Sequence, residues 1–134
     1  MGRNAPRITL KAVHYALKNL HDPMALRRSP LVDLPQVEVL ASHYQSGRWA
    51  RAYALRDLLR STCGEILDLD DQSPQAQRVL TFLRLYMEEP NVSAIARQLA
   101  LSRQTVYDCV MPKALELVVE GLQGADSRVT ARAS

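Results

Sequence analysis

The chain has 134 residues, of which 47% are apolar and 23% charged, with a formal net charge of +3 at pH 7. This length and composition exclude an intrinsically disordered chain and favour one compact domain, or two small subdomains that share a core. No apolar run approaches the roughly 20 residues of a membrane-spanning helix, and the N-terminus lacks a signal-peptide apolar core, so we expect a cytoplasmic protein without a membrane partner.

Positive charge is concentrated at the N-terminus. The first 30 residues contain a single acid, Asp22, and a larger set of basic residues: Arg3, Arg7, Lys11, Lys18, Arg27 and Arg28. A basic segment of this kind suits contact with phosphates. A solvated helix face would have the same composition, so both interpretations stay open.

Apolar residues recur three and four positions apart along the chain, and alternating β-branched patterns are rare. The sequence therefore predicts an all-α fold, a multi-helix bundle. The first helix is expected over about residues 9–20, with Thr9 as its N-cap. Asp22-Pro23 and Ser29-Pro30 each place proline after a capping residue, so short helical pieces should fill residues 22–46.

Longer helices are expected over about residues 48–67 and from Ser73-Pro74 to Glu88. Two short helices should follow over about residues 93–111, with Ser93 and Ser102 as N-caps. Pro112 would remove a backbone hydrogen bond, so the second short helix should end or kink near Val110. A last helix is expected over residues 113–122. The sequence therefore divides into three regions. Residues 1–72 form a helical region that serves oligomerisation or supports DNA binding, residues 73–122 form the helix-turn-helix domain, and residues 123–134 form a flexible tail.

Residues 92–111 are the most informative part of the chain. Their apolar positions fall where two short helices around a tight turn must bury them: Ile95, Ala96, Leu99, Leu101, Val106 and Cys109. Ala96 is small where the two helix axes would cross. This is the pattern of a DNA-binding helix-turn-helix, here at the C-terminal end of the bundle.

The outward face of the second helix has side chains suited to DNA. With Val106 and Cys109 toward the core, Arg103, Gln104, Tyr107 and Asp108 project outward, and Met111 continues that face. Arginine can bind the two acceptors of guanine, and glutamine can pair with adenine. Asp108 would repel phosphate unless it accepts from a cytosine or pairs with Arg103 or Lys113. The candidate DNA-binding residues are Ser93, Arg97, Ser102, Arg103, Gln104, Thr105, Tyr107 and Lys113.

Residues 91–107, N-V-S-A-I-A-R-Q-L-A-L-S-R-Q-T-V-Y, followed by Ala114-Leu115-Glu116-Leu117, resemble the helix-turn-helix of sigma factor region four and LuxR-type regulators. In those families the run x-S-x-x-E-I-A-x-x-L-G-I-S-x-x-T-V leads into a helix that ends in an alanine-leucine pair. The resemblance covers about residues 74–122 and implies a tri- or tetrahelical DNA-binding domain. It places Ser102, Arg103, Gln104 and Tyr107 against DNA.

This sequence departs from the family pattern at two positions. Ala100 stands where glycine usually makes the turn, which alanine can do with mild strain. Pro112 stands where the families usually continue one helix, which puts the end of the recognition helix in doubt. The first 72 residues resemble neither a phosphate-accepting receiver domain nor a polymerase-binding sigma region.

The sequence predicts a small transcriptional regulator that inserts residues 102–110 into the major groove of double-stranded DNA. Because the two short helices contain only two basic residues, Arg97 and Arg103, tight binding should need a homo-oligomer, with a dimer favoured. The alternatives are a protein-interaction adaptor, as a subunit of a larger regulatory or defence assembly, and a phage-type packaging or replication module in an oligomeric ring. A basic surface that joins Arg103 to Arg97 and the N-terminal basic residues would favour DNA, and an acidic or apolar one would favour protein.

Catalytic and metal-binding patterns are missing from the sequence. His14, His21 and His43 lack metal-ligand spacing, there is no glycine-rich phosphate loop, and no nucleophile has an evident base. We expect no enzyme activity, cofactor, metal or small-molecule substrate. Cys63 and Cys109 stand among apolar residues and are expected to be buried, reduced thiols.

Overall fold

The computed structural model describes residues 7–44, 47, 49–69 and 73–133, with side chains up to residue 124. No β-strand occurs in this part of the chain, which confirms the all-α prediction. The helices are α1 (Leu10–Lys18), α2 (Pro23–Arg27), α3 (Pro35–Ala41), α4 (Ala50–Leu67), α5 (Pro74–Glu88), α6 (Val92–Leu99), α7 (Arg103–Thr105) and α8 (Met111–Ala133). A 3₁₀ turn lies at Pro30–Asp33 and a π turn at Val106–Val110.

Side-chain caps begin several of these segments where the sequence predicts them. The capping oxygen accepts from a backbone N–H two or three residues later at Thr9, Asp22, Ser29 and Ser73. After the last three of these caps, proline occupies the first helical position, where its missing N–H would have had no helical partner. Local sequence therefore predicts closely where these segments begin. Two bounds differ from the prediction by two residues: α1 ends at Lys18 and not at residue 20, and α4 begins at Ala50 and not at residue 48.

The apolar stripes pack into one continuous core that takes residues from both halves of the chain. Its members include Val13, Ala16, Leu17, Leu20, Ala52, Leu55, Leu59, Cys63, Ile66, Val79, Leu80, Leu83, Tyr86, Leu115, Val118 and Leu122. Helix α8 packs against α1, α3, α4 and α5, so it connects the predicted N-terminal region to the rest of the molecule. Among the described residues, no helix has the length and apolar character needed to cross a membrane.

Helices α4 and α8 approach each other closely at Gly121. A Cβ placed on Gly121 would lie 2.6 Å from Cγ2 of Thr62 on α4. Thr62 is buried and β-branched, so its side chain has little freedom to move aside. The missing side chain at residue 121 therefore sets how near these two helices can lie.

Pro112 does not end the helix: of the end or kink that the sequence predicts near Val110, the structure has an irregular π turn in a helix that continues. Helix α7, the π turn and α8 follow one another without a break over residues 103–133. In a regular α-helix the ring of Pro112 would clash with the carbonyl of Asp108, four residues earlier. The π turn before it contains one residue more per hydrogen-bonded turn, which gives the ring room. The expected end at Leu122 is also wrong, because helical backbone continues through the predicted tail to Ala133.

The π turn also changes which side chains face the core. Cys109 is exposed, although the sequence places it in the core, and Met111 is buried, although the sequence places it on the outward face. Val106 and Val110 are both buried. The additional residue in the turn moves the buried stripe from Cys109 to Val110 and Met111.

Candidate nucleic-acid interface

A left-handed residue makes the turn between α6 and α7. Ala100 has φ 57° and ψ 41°. The N–H of Ala100 donates to the carbonyl of Arg97 at 3.2 Å, and that of Leu101 donates to Ala96 at 2.9 Å. This pair of bonds is the Schellman arrangement, which usually has glycine at the left-handed position. The turn forms where the sequence predicts it, with alanine in the glycine position.

The N-terminal caps of the two helices agree with the sequence in one case and differ in the other. Asn91, not Ser93, caps α6, because its side chain accepts from the N–H of Ala94 at 3.1 Å. Ser102 caps α7 as predicted by accepting from the N–H of Thr105 at 3.1 Å. The hydroxyls of Ser102 and Thr105 are 2.8 Å apart, so both predicted DNA-binding residues take part in the cap.

Arg103 connects the first turns of the two helices. Its Nη1 donates to Oγ of Ser93 at 3.2 Å, and both side chains lie at the molecular surface. Because Asn91 provides the cap of α6, the hydroxyl of Ser93 is available to accept this bond. The guanidinium is thus held beside α6 by one of its five N–H donors.

Asp108 forms a hydrogen bond with Gln104, a partner that the sequence analysis did not consider. Nε2 of Gln104 donates to Oδ2 of Asp108 at 2.7 Å. The two residues are four apart, the spacing at which glutamine and aspartate pair on a helix surface. Since Nε2 has two hydrogens, the second one and the carbonyl oxygen of Gln104 stay available for a base edge.

A polar groove separates α1 from the start of α6, and we call it the α1–α6 groove. It has a volume of about 490 Å³, and its lining includes Lys18 of α1, Ser93 of α6 and Tyr107 of the π turn. Nε2 of His14 lies 3.0 Å from the hydroxyl of Tyr86 within it. Residues from three distant parts of the chain therefore meet beside the predicted recognition helix.

The two groups that form this hydrogen bond in the groove are both neutral at pH 7. Burial, with a smaller contribution from Lys18, lowers the pKa of His14 below its usual 6.5. Burial, assisted by the nearby Tyr107, raises the pKa of Tyr86 to about 12. Lys18 is therefore the cation of the groove, and Glu89 is its carboxylate.

The remaining two predicted residues differ in their position relative to this cluster. Arg97 is exposed on α6, one turn beyond Ser93. Lys113 is exposed on α8 and lines a different groove, of about 380 Å³, together with Ser73, Gln75 and Glu116. The structure thus brings Ser93, Arg103, Gln104 and Tyr107 to one surface and leaves Lys113 outside it.

Comparisons with protein-family models, curated proteins and solved structures found no match to this chain. The resemblance to sigma factor region four and LuxR-type regulators therefore stays a prediction. Assignment of a function depends on the side-chain geometry described above.

Sequence reasoning missed the contribution of α1 to this surface. In the sequence, Lys18 is one member of the basic N-terminal segment. No local pattern shows that α1 lies beside α6, which follows more than 70 residues later in the chain. The pairing of Gln104 with Asp108 was accessible from their spacing alone. Among the described residues, no group of three or more histidine, cysteine or acidic side chains is arranged to hold a metal ion.

Proposed function

We propose that the chain is a sequence-specific DNA-binding protein, a small transcriptional regulator whose helix-turn-helix is formed by α6, the Ala100 turn and α7 with the π turn. Residues 102–110 enter the major groove. The observation that carries this proposal is the division of the second helix into two faces. Arg103, Gln104 and Tyr107 are exposed, while Val106 and Val110 are fully packed in the core.

The exposed side chains have the chemistry of direct base readout. Arg103 presents N–H donors in a fork that matches O6 and N7 of guanine, and Ser93 orients the fork. Gln104 presents a donor and an acceptor that match N7 and N6 of adenine. Asp108 accepts the other hydrogen of the Gln104 amide, so it orients the amide group without occupying its outward edge. Each such pair is worth about 1–3 kcal/mol of discrimination.

The charge of the surrounding surface supports DNA over a protein partner. Arg103 is bonded to Ser93, and Ser93 lines the same groove as Lys18, so one cation lies on each side of Ser93. Cations beside a recognition helix are what a contact with DNA phosphates needs. Because the number of cations is small, we also propose a homodimer, which would bind two half-sites about 34 Å apart.

The test begins with selection of a preferred duplex from a random library, followed by affinity measurements at several salt concentrations. Wild type should bind with a logarithm of affinity that falls linearly with the logarithm of salt concentration. Arg103→Ala and Gln104→Ala should each reduce discrimination at one base pair by about 5- to 150-fold, the ratio that 1–3 kcal/mol gives. Arg60→Ala, which removes an exposed arginine on α4, serves as the control and should leave discrimination unchanged.

Failure of folded wild type to bind any duplex at low salt would refute the proposal and favour a protein partner for the same surface. Sedimentation equilibrium of the same samples, with and without DNA, measures whether the bound species is a dimer. A bound monomer with full selectivity would reject the dimer and keep the DNA-binding assignment.

A further inference from the structure

The α1–α6 groove is formed by α1 together with both helices of the proposed helix-turn-helix. Lys18 contributes a cation from α1, and Ser93 and Tyr107 contribute hydroxyls from the two proposed DNA-binding helices. Tyr107 is 49% exposed, so its ring reaches into solvent at the edge of the groove. A cation with adjacent hydroxyl donors is the chemistry that binds a phosphodiester oxygen.

The backbone that carries Lys18 is held in place by contacts on both sides of it along the chain. His14, four residues before Lys18, lies 3.0 Å from the hydroxyl of Tyr86. His21, three residues after it, has Nε2 3.0 Å from the carbonyl oxygen of Met87. Both contacts join the α1 segment to the end of α5, directly before α6. The position of Lys18 relative to α6 is therefore fixed before any ligand binds, which reduces the entropy lost on binding.

The location of the groove indicates which phosphate it would bind. Tyr107 is three residues after Gln104 on the same helix, so the groove lies next to the side chains that would contact base edges. In a major-groove complex, backbone phosphates flank the bases that are contacted, so a cation next to these side chains would meet a phosphate. Glu89 also lines the groove and would weaken the attraction, so the net charge there is balanced between one cation and one anion.

We propose that Lys18 binds a backbone phosphate of DNA adjacent to the bases contacted by Arg103 and Gln104, which makes α1 part of the DNA interface. This inference rests on the proposed function. It extends the interface beyond the segment that resembles a known DNA-binding motif. It also assigns a role to one member of the basic N-terminal segment.

The test compares two lysines of the same helix. Lys18→Gln should weaken binding to every duplex by a similar factor and reduce the salt slope by about 0.9, the contribution of one phosphate. Lys11→Gln makes the same charge change two turns earlier on α1, in a different groove beside Thr9 and Tyr15, and should leave both quantities near wild type. Glu89→Gln should strengthen binding, since it removes the opposing charge from the groove.

Duplexes with a single neutral methylphosphonate locate the contact. One substituted position should weaken wild-type binding several-fold and should have no effect on Lys18→Gln. Equal salt slopes for Lys18→Gln and Lys11→Gln, with DNA binding by wild type intact, would overturn this inference and leave the proposed function standing. Absence of DNA binding by folded wild type would overturn both. Circular dichroism melting of each variant separates lost binding from lost folding.

Discussion

Ala100 has a backbone conformation that costs most residues about 1–2 kcal/mol, because in the left-handed region the Cβ lies too close to the following carbonyl oxygen. It is the only non-glycine residue with positive φ among those the structure describes. Two hydrogen bonds, from the N–H groups of Ala100 and Leu101, hold the turn in this conformation. The turn between the two proposed DNA-binding helices is therefore formed at the expense of backbone strain.

Ala100→Gly should raise the free energy of unfolding by about 0.5–1 kcal/mol, since glycine removes the strain but also gains entropy in the unfolded chain. Chemical denaturation measures the change. Ala94→Gly, within the regular part of α6, should have the opposite sign and cost about 1 kcal/mol. A loss of stability in Ala100→Gly would contradict the left-handed turn.

At this scale the sequence predicts bonds between neighbours and misses bonds across the turn. The Ser102 cap and the Ala100 turn depend on residues within five positions of each other, so residue type and order are sufficient to locate them. The bond from Arg103 to Ser93 joins residues ten positions apart. It depends on the angle between two helices and on Asn91 replacing Ser93 as the cap, which a linear pattern does not specify.

The π turn at Val106–Val110 is the element that decides which side chains the proposed recognition helix exposes. Pro112 indicates that the helix cannot stay regular at this point, but it is compatible with an end, a kink or a wider turn. The structure has the wider turn, in which the helix continues and Cys109 lies at the surface. The sequence thus predicts correctly that the helix is irregular near Val110. It cannot predict that the buried face of the helix moves from Cys109 to Val110 and Met111.

The two cysteines should differ strongly in reactivity. Burial raises the pKa of the Cys63 thiol to about 12, so it stays protonated and inaccessible at pH 8. Cys109 is exposed and should react with a thiol reagent at once in the native protein, whereas Cys63 should react only after unfolding. Cys109→Ser and Cys63→Ser variants assign the two phases. Protection of Cys109 in the native state would indicate a regular α-helix without the π turn.

At the scale of the whole molecule, α8 is the helix against which much of the bundle packs. It contacts α1, α3, α4 and α5 within a single core. The predicted boundary near residue 72 reflects local composition, whereas the shared core follows from how the helix faces meet in space. Periodicity predicts which residues are buried, but it does not predict which helices they pack against.

Gly121→Ala should destabilise the fold by about 1–3 kcal/mol, the usual cost of overpacking, because the new methyl group would clash with Thr62. Gly64→Ala has open space around it and should instead stabilise α4 by about 0.5–1 kcal/mol. Thermal and chemical unfolding measure both changes.

The double variant Gly121→Ala/Thr62→Ser tests the cause, since serine lacks the Cγ2 atom that the methyl group would meet. It should recover part of the stability lost in Gly121→Ala. If Gly121→Ala is as stable as Gly64→Ala, the close approach of α4 and α8 is wrong.

The unbroken helix over residues 103–133 joins the side chains proposed to contact bases directly to the helix that organises the core. At 1.5 Å per residue it is about 45 Å long, a length greater than the separation of two half-sites on DNA. Because α8 packs against α1, α3, α4 and α5 along the way, the position of Arg103 is tied to the packing of the whole bundle. A tilt of about 5° over this length corresponds to about 4 Å at Arg103, so small changes in helix packing are enlarged at the proposed DNA-binding surface.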